Sequence, residues 1–134
     1  MKNIVLVIAV LICANAKAQN TFFLRTYGQN LEDVGYSLIR AYDRGFVLIG
    51  TSTQFDVNAN ATIRKIDSLG TELWAYDIGF SGSIEYPVGA LELQDSSILL
   101  AVWSNAANTK LRQVKLSKEG TVLMDSIYYL SDGF

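Results

Sequence analysis

The sequence predicts an all-β chain made of two consecutive four-stranded antiparallel units. Three observations predict this fold: a segment that recurs, short apolar runs bounded by turn residues, and no helical periodicity over about ten residues beyond residue 20. The recurring segments are KIDSLGTELW at 65–74 and KLSKEGTVLM at 115–124. Because the identities fall at one offset of fifty residues, we expect both units to fold in the same way.

The first unit contains four strand candidates, which are rich in aromatic and β-branched residues. Asp-Arg-Gly, an Asn-rich loop and Asp-Ser-Leu-Gly separate them, and such sequences are typical of turns between strands. The second candidate is nearly continuous in apolar residues, as expected of a strand covered on both faces. The four candidates span 36–42, 45–53, 61–67 and 71–78.

The second unit repeats this plan over residues 86–128. Its run SILLAVW, at 97–103, corresponds to the apolar second strand of the first unit when the fifty-residue offset is changed by about two residues. Pro87 is the only proline and is predicted at the first residue of a strand, where no ladder donor is lost. Gly70 and Gly120 stand at the turn into each fourth strand, where we expect positive φ.

Four short antiparallel strands in about fifty residues, with the most apolar strands inside, are the pattern of a β-propeller blade. One blade cannot cover both of its faces, so neighbouring blades stack. The predicted organisation is a signal peptide at 1–18, an entry strand and linker at 19–35, blade 1 at 36–78, a linker at 79–85, blade 2 at 86–128 and the start of a further blade at 129–134.

Two resemblances rest on these motifs. Asp67, Gly70 and Trp74 form a D-x-x-G-x-x-x-W run that resembles the tryptophan-docking motif of quinoprotein-type propellers, which implies that Trp74 packs between blades. The second unit has Ser117 and Met124 in place of the motif's Asp and Trp.

The wider layout is RTYG, then GYSLIRAYDRGFVLIGTST, then IRKIDSLGTELW. Across residues 22–128 it is similar to the "DGGF"-type propeller repeats of secreted bacterial proteins, which often end in a C-terminal sorting domain for type IX secretion. This resemblance implies an extracellular propeller array and no particular substrate.

Residues 1–18 are predicted to be a secretory signal peptide. Lys2 forms the positive n-region, an apolar core covers 4–13, and AKA at 16–18 is a small-x-small cleavage site. The apolar core is shorter than the roughly twenty residues that a membrane-spanning helix needs. We therefore expect a secreted or cell-surface protein after cleavage near Ala18.

Two details of the leader leave alternatives open. ANA at 14–16 is a second possible cleavage site. Cys13 also permits a lipoprotein interpretation, although Ile12 occupies the position where a lipobox carries a small residue. Ordinary cleavage is the interpretation we favour.

The composition argues against most catalytic chemistry. Without the leader the chain has no cysteine and no histidine, which excludes disulfides and Ser-His-Asp or Cys-His nucleophiles. Loss of Lys2 and Lys17 makes the net charge more negative than the −2 of the whole chain, so nucleic acid and anionic membranes are not expected partners. We predict no catalytic, cofactor-binding or metal-binding residue.

Acidic residues give one weak site candidate. Glu32 and Asp33 precede the first strand of one unit and Glu85 precedes the first strand of the next, so all three could lie on one rim. They could form a cation or sugar site, but a solvated loop face is the usual place for such residues. We expect the solvated loop.

A second weak candidate is DVNANAT at 56–62, which begins like a calcium loop. Asp56, Asn58 and Asn60 hold the first, third and fifth positions, and Asp67 holds the twelfth. Ala61 in place of the usual glycine and the flanking strands favour a plain hairpin loop. Asn60 also opens an N-A-T glycosylation sequon.

The aromatic side chains could form a sugar platform, but their positions on strands favour packing. They are Phe22, Phe23, Tyr27, Tyr36, Tyr42, Phe46, Trp74, Tyr76 and Trp103.

Two function classes follow. One is an exported, non-catalytic propeller module that contacts a protein or a glycan at the cell surface. The other is the opening part of a larger extracellular enzyme, quinoprotein-like or polysaccharide-degrading, whose catalytic residues lie beyond the chain end. Two blades alone would leave apolar flanks, so three interpretations stay open: a fragment of a larger propeller, a chain that closes by self-association, or a small open sandwich.

Overall fold

The computed structural model describes residues 22–28, 32–53, 59–79, 83–105 and 110–129. Within these ranges the strands are β1 Asp33–Arg40, β2 Phe46–Thr53, β3 Ala59–Ile66, β4 Glu72–Ile78, β5 Glu85–Glu92, β6 Ile98–Ser104, β7 Lys110–Leu116 and β8 Val122–Tyr129. Strands β1 to β4 form an antiparallel sheet in chain order, called sheet 1, and β5 to β8 form sheet 2 in the same way. The predicted all-β fold of two consecutive four-stranded antiparallel sheets is confirmed.

The start of the first unit differs from the prediction. We expected its first strand to begin at Tyr36, but β1 begins at Asp33 and pairs with the end of β2. Tyr36 is instead the extra residue of a β-bulge between Gly35 and Ser37. A bulge bends its strand without ending the pairing, so the aromatic residue marks a bend and the ladder continues past it.

The second unit shows similar differences. Strand β5 begins at Glu85 rather than at 86, and β8 runs to Tyr129, which we had assigned to a further unit. Pro87 is the third residue of β5 and not the first, and the extra residue Val88 follows it in a bulge. Because β5 is an edge strand, a proline there removes no ladder bond that the sheet needs.

The predicted entry strand also needs correction. Its described part, residues 22–28, is not a strand and is called the N-terminal segment here. Two of its side chains contact sheet 1 and the turn into β4. The phenol of Tyr27 donates a 2.6 Å hydrogen bond to the carbonyl oxygen of Gly70. The rings of Phe23 and Phe46 meet edge to face, with centroids 6.4 Å apart.

The turns into β4 and β8 repeat closely. Gly70 has φ 78° and Gly120 has φ 85°, so the predicted positive φ is confirmed at both glycines. A carboxylate oxygen of Asp67 accepts hydrogen bonds from two backbone amides of the first turn, at 2.8 and 2.7 Å. The hydroxyl oxygen of Ser117 accepts the two corresponding bonds at 3.1 and 3.2 Å. Serine can therefore replace aspartate here because only an acceptor is required.

The hydrophobic core lies between the two sheets. Each strand places alternate side chains on opposite faces, and the inner face of sheet 1 meets the inner face of sheet 2. Burying one such aliphatic side chain stabilises a fold by roughly 1.5–3 kcal/mol, so this seam holds the sheets together. The buried cluster consists of Val47, Ile49, Ala61, Ile63, Ile78, Ile98, Leu100, Val102, Val114 and Leu116.

One side chain also bridges the sheets at their outer strands. The indole Nε1 of Trp74 in β4 donates a 2.8 Å hydrogen bond to the carbonyl oxygen of Lys118 in the turn before β8. A Cβ at Gly120 would lie only 2.8 Å from the Trp74 ring, so glycine is needed beneath it. Phe23 lies above Gly70 in the same manner. The same contact therefore occurs twice along the chain.

In the described parts of the chain there is no helix long and apolar enough to cross a membrane.

Candidate functional site

The three acidic residues expected on a rim lie in different environments. Glu32 and Asp33 are exposed, as expected, but Glu85 is 0% exposed at the start of β5. Its carboxylate accepts hydrogen bonds from the hydroxyls of Ser83 and Ser104, the latter at 3.2 Å. The expectation of a solvated loop is therefore wrong for Glu85, because the seam between the sheets reaches this end of β5.

A guanidinium lies near this buried carboxylate. Arg112 in β7 donates two hydrogen bonds to Asp125, of 2.8 and 2.6 Å. These bonds raise the pKa of Arg112, and the charge of Glu85 adds to the rise. Glu85, Arg112 and Asp125 form a polar end of the contact between the two sheets. Glu85 is not exposed to solvent there.

The calcium-loop residues do not form a described site. Asp56 and Asn58 lie outside the described residues, while Asn60 is the second residue of β3 and its side chain packs against Gly79. Asp67 is a turn residue, and its hydrogen bond from the Thr71 amide is the main reason that its pKa is lowered. Over the described ranges, no group of three His, Cys, Asp or Glu side chains could hold a metal ion.

The aromatic residues divide into packed and exposed sets. Trp74 packs as expected, but Phe22, Tyr36 and Tyr42 are exposed, so the expectation of packing is wrong for these three. Tyr36 is a bulge residue and Tyr42 lies in the β1–β2 turn, and neither position faces the seam.

An aromatic pair lies on the outer face of sheet 2. The rings of Tyr86 and Trp103 are 5.6 Å apart between centroids and tilted by 33°. Tyr128 on the same face is half exposed, and its hydroxyl lies 3.4 Å from the amide oxygen of Gln113. Below them is a groove of about 390 Å³ bordered by Leu91 and other residues.

A second cavity lies between the N-terminal segment and the outer face of sheet 1. Its volume is about 110 Å³. The polar walls are Tyr27, Asp33, Thr62 and Arg64, and Leu48 contributes an apolar wall. This cavity is the candidate functional site because it combines concavity with convergent polar groups.

A pair of glycines creates this cavity. Gly35 in β1 lies directly opposite Gly50 in β2, so this rung of the ladder carries no side chains. The corresponding rung of sheet 2 pairs Pro87 with Val102, which fill the space. Gly50 cannot be enlarged, because a Cβ there would overlap the carbonyl oxygen of Val34. The missing side chains at this rung leave a notch on the outer face beside Thr62.

Two buried hydroxyls belong to this same face. Thr62 is 7% exposed, and its Oγ1 has no hydrogen-bond partner within the described structure. Ser52 is also buried, and its Oγ likewise lacks a partner among the residues described. A buried hydroxyl without a partner costs about 1–3 kcal/mol, so both positions favour an additional polar group nearby.

The charged groups around the cavity include two carboxylates and one guanidinium. Nη1 of Arg64 donates to the Glu72 carboxylate at 2.8 Å, and the Arg64 side chain is 12% exposed. Asp33 adds a second carboxylate at the cavity wall. The site therefore offers donors and acceptors without a net positive charge, which disfavours an anionic ligand.

Comparison with known proteins gave no match to a family model, to a curated protein or to a solved structure. The function must therefore be argued from the site and the fold.

The sequence reasoning did not find this cavity. A signal was present, because an isolated glycine inside a strand pattern often marks a bulge or a close backbone approach. However, only the register shows that Gly35 and Gly50 are partners and that Thr62 is the next residue across the sheet.

Proposed function

We propose that this chain is an exported, non-catalytic β-propeller repeat module that binds a protein or a glycan at the cell surface. In this proposal the two sheets are consecutive blades, and residues 1–18 are a signal peptide removed near Ala18. The resemblance to secreted bacterial propeller repeats adds type IX secretion as the proposed export route.

The repeated docking contact is the observation that carries the proposal. Trp74 lies above Gly120, and Phe23 lies above Gly70. Relative to sheet 1, the N-terminal segment thus takes the position that β4 takes relative to sheet 2. A contact that recurs at each step is expected of blades that stack by one operation.

The outer face of sheet 2 supports the binding role. Its central position Gln113 corresponds to Ile63, which is fully buried on the inner face of sheet 1. Gln113 and the partly exposed Tyr86 and Tyr128 lie on this face beside the exposed apolar side chains of Leu91 and Met124, so the face offers a partner both polar and apolar groups. Tyrosine and glutamine are suited to partners that present hydroxyl and amide groups.

Export and binding can be tested together. The gene is expressed in a bacterium with a type IX system. The amount of the chain in the medium and on the cell surface is measured, and the N-terminal residues of the recovered chain are sequenced. The secreted chain is then applied to a glycan array and to surface-protein fractions. We expect cleavage near Ala18 and binding that Trp103→Ala weakens; an uncleaved intracellular chain would contradict the proposal.

A further inference from the structure

The contact between the two sheets joins unlike faces. The rung that pairs Phe46 with Ile66 in sheet 1 corresponds to the rung that pairs Ile98 with Leu116 in sheet 2. Sheet 1 buries the second residue of β2, Val47, in the core, whereas sheet 2 buries the first residue of β6, Ile98. Because side chains alternate between the two faces of a strand, opposite faces of two equivalent sheets form the core.

Each sheet therefore keeps one face of the kind that its neighbour uses. The outer face of sheet 2 is the counterpart of the inner face of sheet 1, and the outer face of sheet 1 is the counterpart of the inner face of sheet 2. A contact between unlike faces is heterologous, so the same contact can be repeated at both ends of the pair.

The outer face of sheet 2 repeats an ion pair of its counterpart. On the inner face of sheet 1, Nζ of Lys65 lies 2.9 Å from the Asp43 carboxylate, and 3% of the Lys65 side chain is exposed. On the outer face of sheet 2, Nζ of Lys115 lies 3.0 Å from the Asp95 carboxylate, but 27% of the Lys115 side chain is exposed. The same pair is thus built twice, and only the copy on the inner face is buried.

Apolar side chains are uncovered on this outer face. Met124 is the counterpart of Trp74, since each pairs with the lysine of its own sheet, and Met124 is 37% exposed. Leu91 on the same face is 49% exposed. A covering sheet would remove both side chains from water, which is the main driving force for association.

The outer face of sheet 1 repeats the inner face of sheet 2 in the same way. Asp33 pairs with Ser52 at one end of this face, as Glu85 pairs with Ser104 in sheet 2. Glu85 is fully buried, whereas Asp33 is exposed and Leu38 on the same face is 59% exposed. This face therefore has the layout of a stacking face with part of its cover missing.

The N-terminal segment occupies the outermost place on this face. Phe23 lies above Gly70 as Trp74 lies above Gly120. A further sheet that stacked here by the same contact would bring its Met124 to the place that Phe23 holds. The segment must therefore leave before such a sheet can dock.

Few contacts hold the segment in this place. They are the edge contact of the Phe23 ring with Phe46 and the hydrogen bond from Tyr27 to Gly70. Phe22 and Leu24 are 90% and 96% exposed, so alternate side chains of the segment contribute nothing to its anchoring. A segment with so few buried contacts opens at a low cost in free energy.

We propose that the outer face of sheet 2 binds the outer face of sheet 1 of a second copy of this chain, and that the N-terminal segment caps the latter face until the second copy displaces it. This inference rests on the proposed function and names the protein partner of the outer face of sheet 2. Heterologous association continues until a ring closes or a fibre grows. A ring of about four to eight blades needs roughly two to four copies, since each copy has two sheets.

Two variants act on the two sides of this contact. Phe23→Ala removes an anchor of the cap, and Phe22→Ala is its matched control because Phe22 is 90% exposed. Ala101→Arg places a charge on β6 in the outer face of sheet 2. Gln94→Arg adds the same charge in the exposed turn between β5 and β6 and is the second control.

Sedimentation velocity of the full secreted chain measures the association from micromolar to millimolar concentrations. We expect reversible association of the parent chain. Phe23→Ala should associate at concentrations about tenfold lower, because the capped fraction of chains reduces the apparent affinity. Phe22→Ala and Gln94→Arg should match the parent, and Ala101→Arg should stay monomeric even when it is combined with Phe23→Ala. Circular dichroism checks that each variant is folded.

Cross-linking tests which faces meet. The contact between Trp74 and Lys118 within the chain has counterparts fifty residues away at Met124 and Ser68. Without the leader the chain has no cysteine, so Met124→Cys and Ser68→Cys introduce one thiol each. In the Phe23→Ala background, a bismaleimide reagent should link the two variants when they are mixed, and it should link neither variant to itself.

Several results would overturn the proposal. They are a monomer at every concentration for both the parent and Phe23→Ala, association that Ala101→Arg leaves unchanged, or equal cross-linking of Met124→Cys with itself. If Ala101→Arg does not fold, cross-linking decides. An exported monomer that binds a glycan or another protein through Trp103 would refute only this inference, whereas a monomer that is neither exported nor bound to any partner would count against the proposed function as well.

Discussion

Trp74 lies across Gly120, and its indole Nε1 donates a 2.8 Å hydrogen bond to the carbonyl oxygen of Lys118. This one relationship links the outer strand of sheet 1 to a turn of sheet 2. It requires both a left-handed glycine and an aromatic donor, and these residues are forty-six positions apart in the sequence. The turn is thus shaped to receive the preceding sheet.

Replacing Gly120 with valine should destabilise the chain by about 2 kcal/mol or more. Valine disfavours the φ of 85°, and its Cβ would lie 2.8 Å from the Trp74 ring. Urea unfolding measures the change, with Gly89→Ala as the control that should cost little. Equal stability of Gly120→Val and the parent would show that the ring does not rest on this turn.

Replacing Arg44 with glycine should stabilise the chain by up to about 1 kcal/mol. Arg44 has φ 71°, a conformation that strains an L-residue and suits glycine. Ser96, with φ 62° in the equivalent turn, should respond in the same way. Arg40→Gly at the end of β1 is the matched control and should destabilise, because Arg40 has no positive φ for glycine to relieve and glycine adds backbone entropy to the unfolded chain. A loss of stability in Arg44→Gly would refute the argument.

The ion pair of Lys65 and Asp43 should respond asymmetrically to mutation. The Lys65 side chain is 3% exposed, and its Nζ lies 2.9 Å from the Asp43 carboxylate. Asp43→Ala leaves a buried ammonium without its partner, so we expect a loss of about 1–2 kcal/mol. The double variant Asp43→Ala/Lys65→Met should regain most of that stability in thermal unfolding. No recovery would mean that Asp43 acts through its turn alone.

The stability of the fold should fall in acid partly because of Asp95. Hydrogen bonds from Ser97, then from Lys115, lower the pKa of Asp95 to about 2 from an ordinary value of 3.8. Between these values the unfolded chain binds the proton and the folded chain does not, so acid favours unfolding. This contribution is complete above about pH 4 and is lost as the pH falls towards 2.

NMR titration of the Asp95 carboxyl carbon checks this value. Ser97→Ala removes the hydroxyl donor, so the pKa of Asp95 should move up towards 3.8. The denaturation midpoints of Asp95→Asn and the parent should converge as the pH falls from 5 to 2.5. A constant gap over that range would contradict the assignment.

The sequence was informative where one residue type meets a local requirement. Gly70 and Gly120 were predicted to adopt positive φ because a tight hairpin needs it, and both do. The recurrence of the segment around these glycines also predicted two sheets of four strands. Trp74 was singled out by a resemblance, and in the structure its indole donates a hydrogen bond to Lys118 of the second unit.

The sequence failed where the answer depends on distant parts of the chain. Glu85 precedes a strand and reads as a loop residue, but the seam between the sheets buries it. The cavity arises because Gly35 and Gly50 are partners, and the register that pairs them follows from a bulge at Tyr36. Local patterns do not fix such pairings.

The stacking of the two sheets through Trp74 can be measured most directly by NMR on the folded chain. We expect nuclear Overhauser effects between the Trp74 ring and the Gly120 α-protons, with those α-protons shifted upfield by the ring. Trp103, on the outer face of sheet 2, serves as the internal control and should show neither contact. Gly120 α-protons at random-coil shifts, with no Overhauser effect to Trp74, would contradict the account.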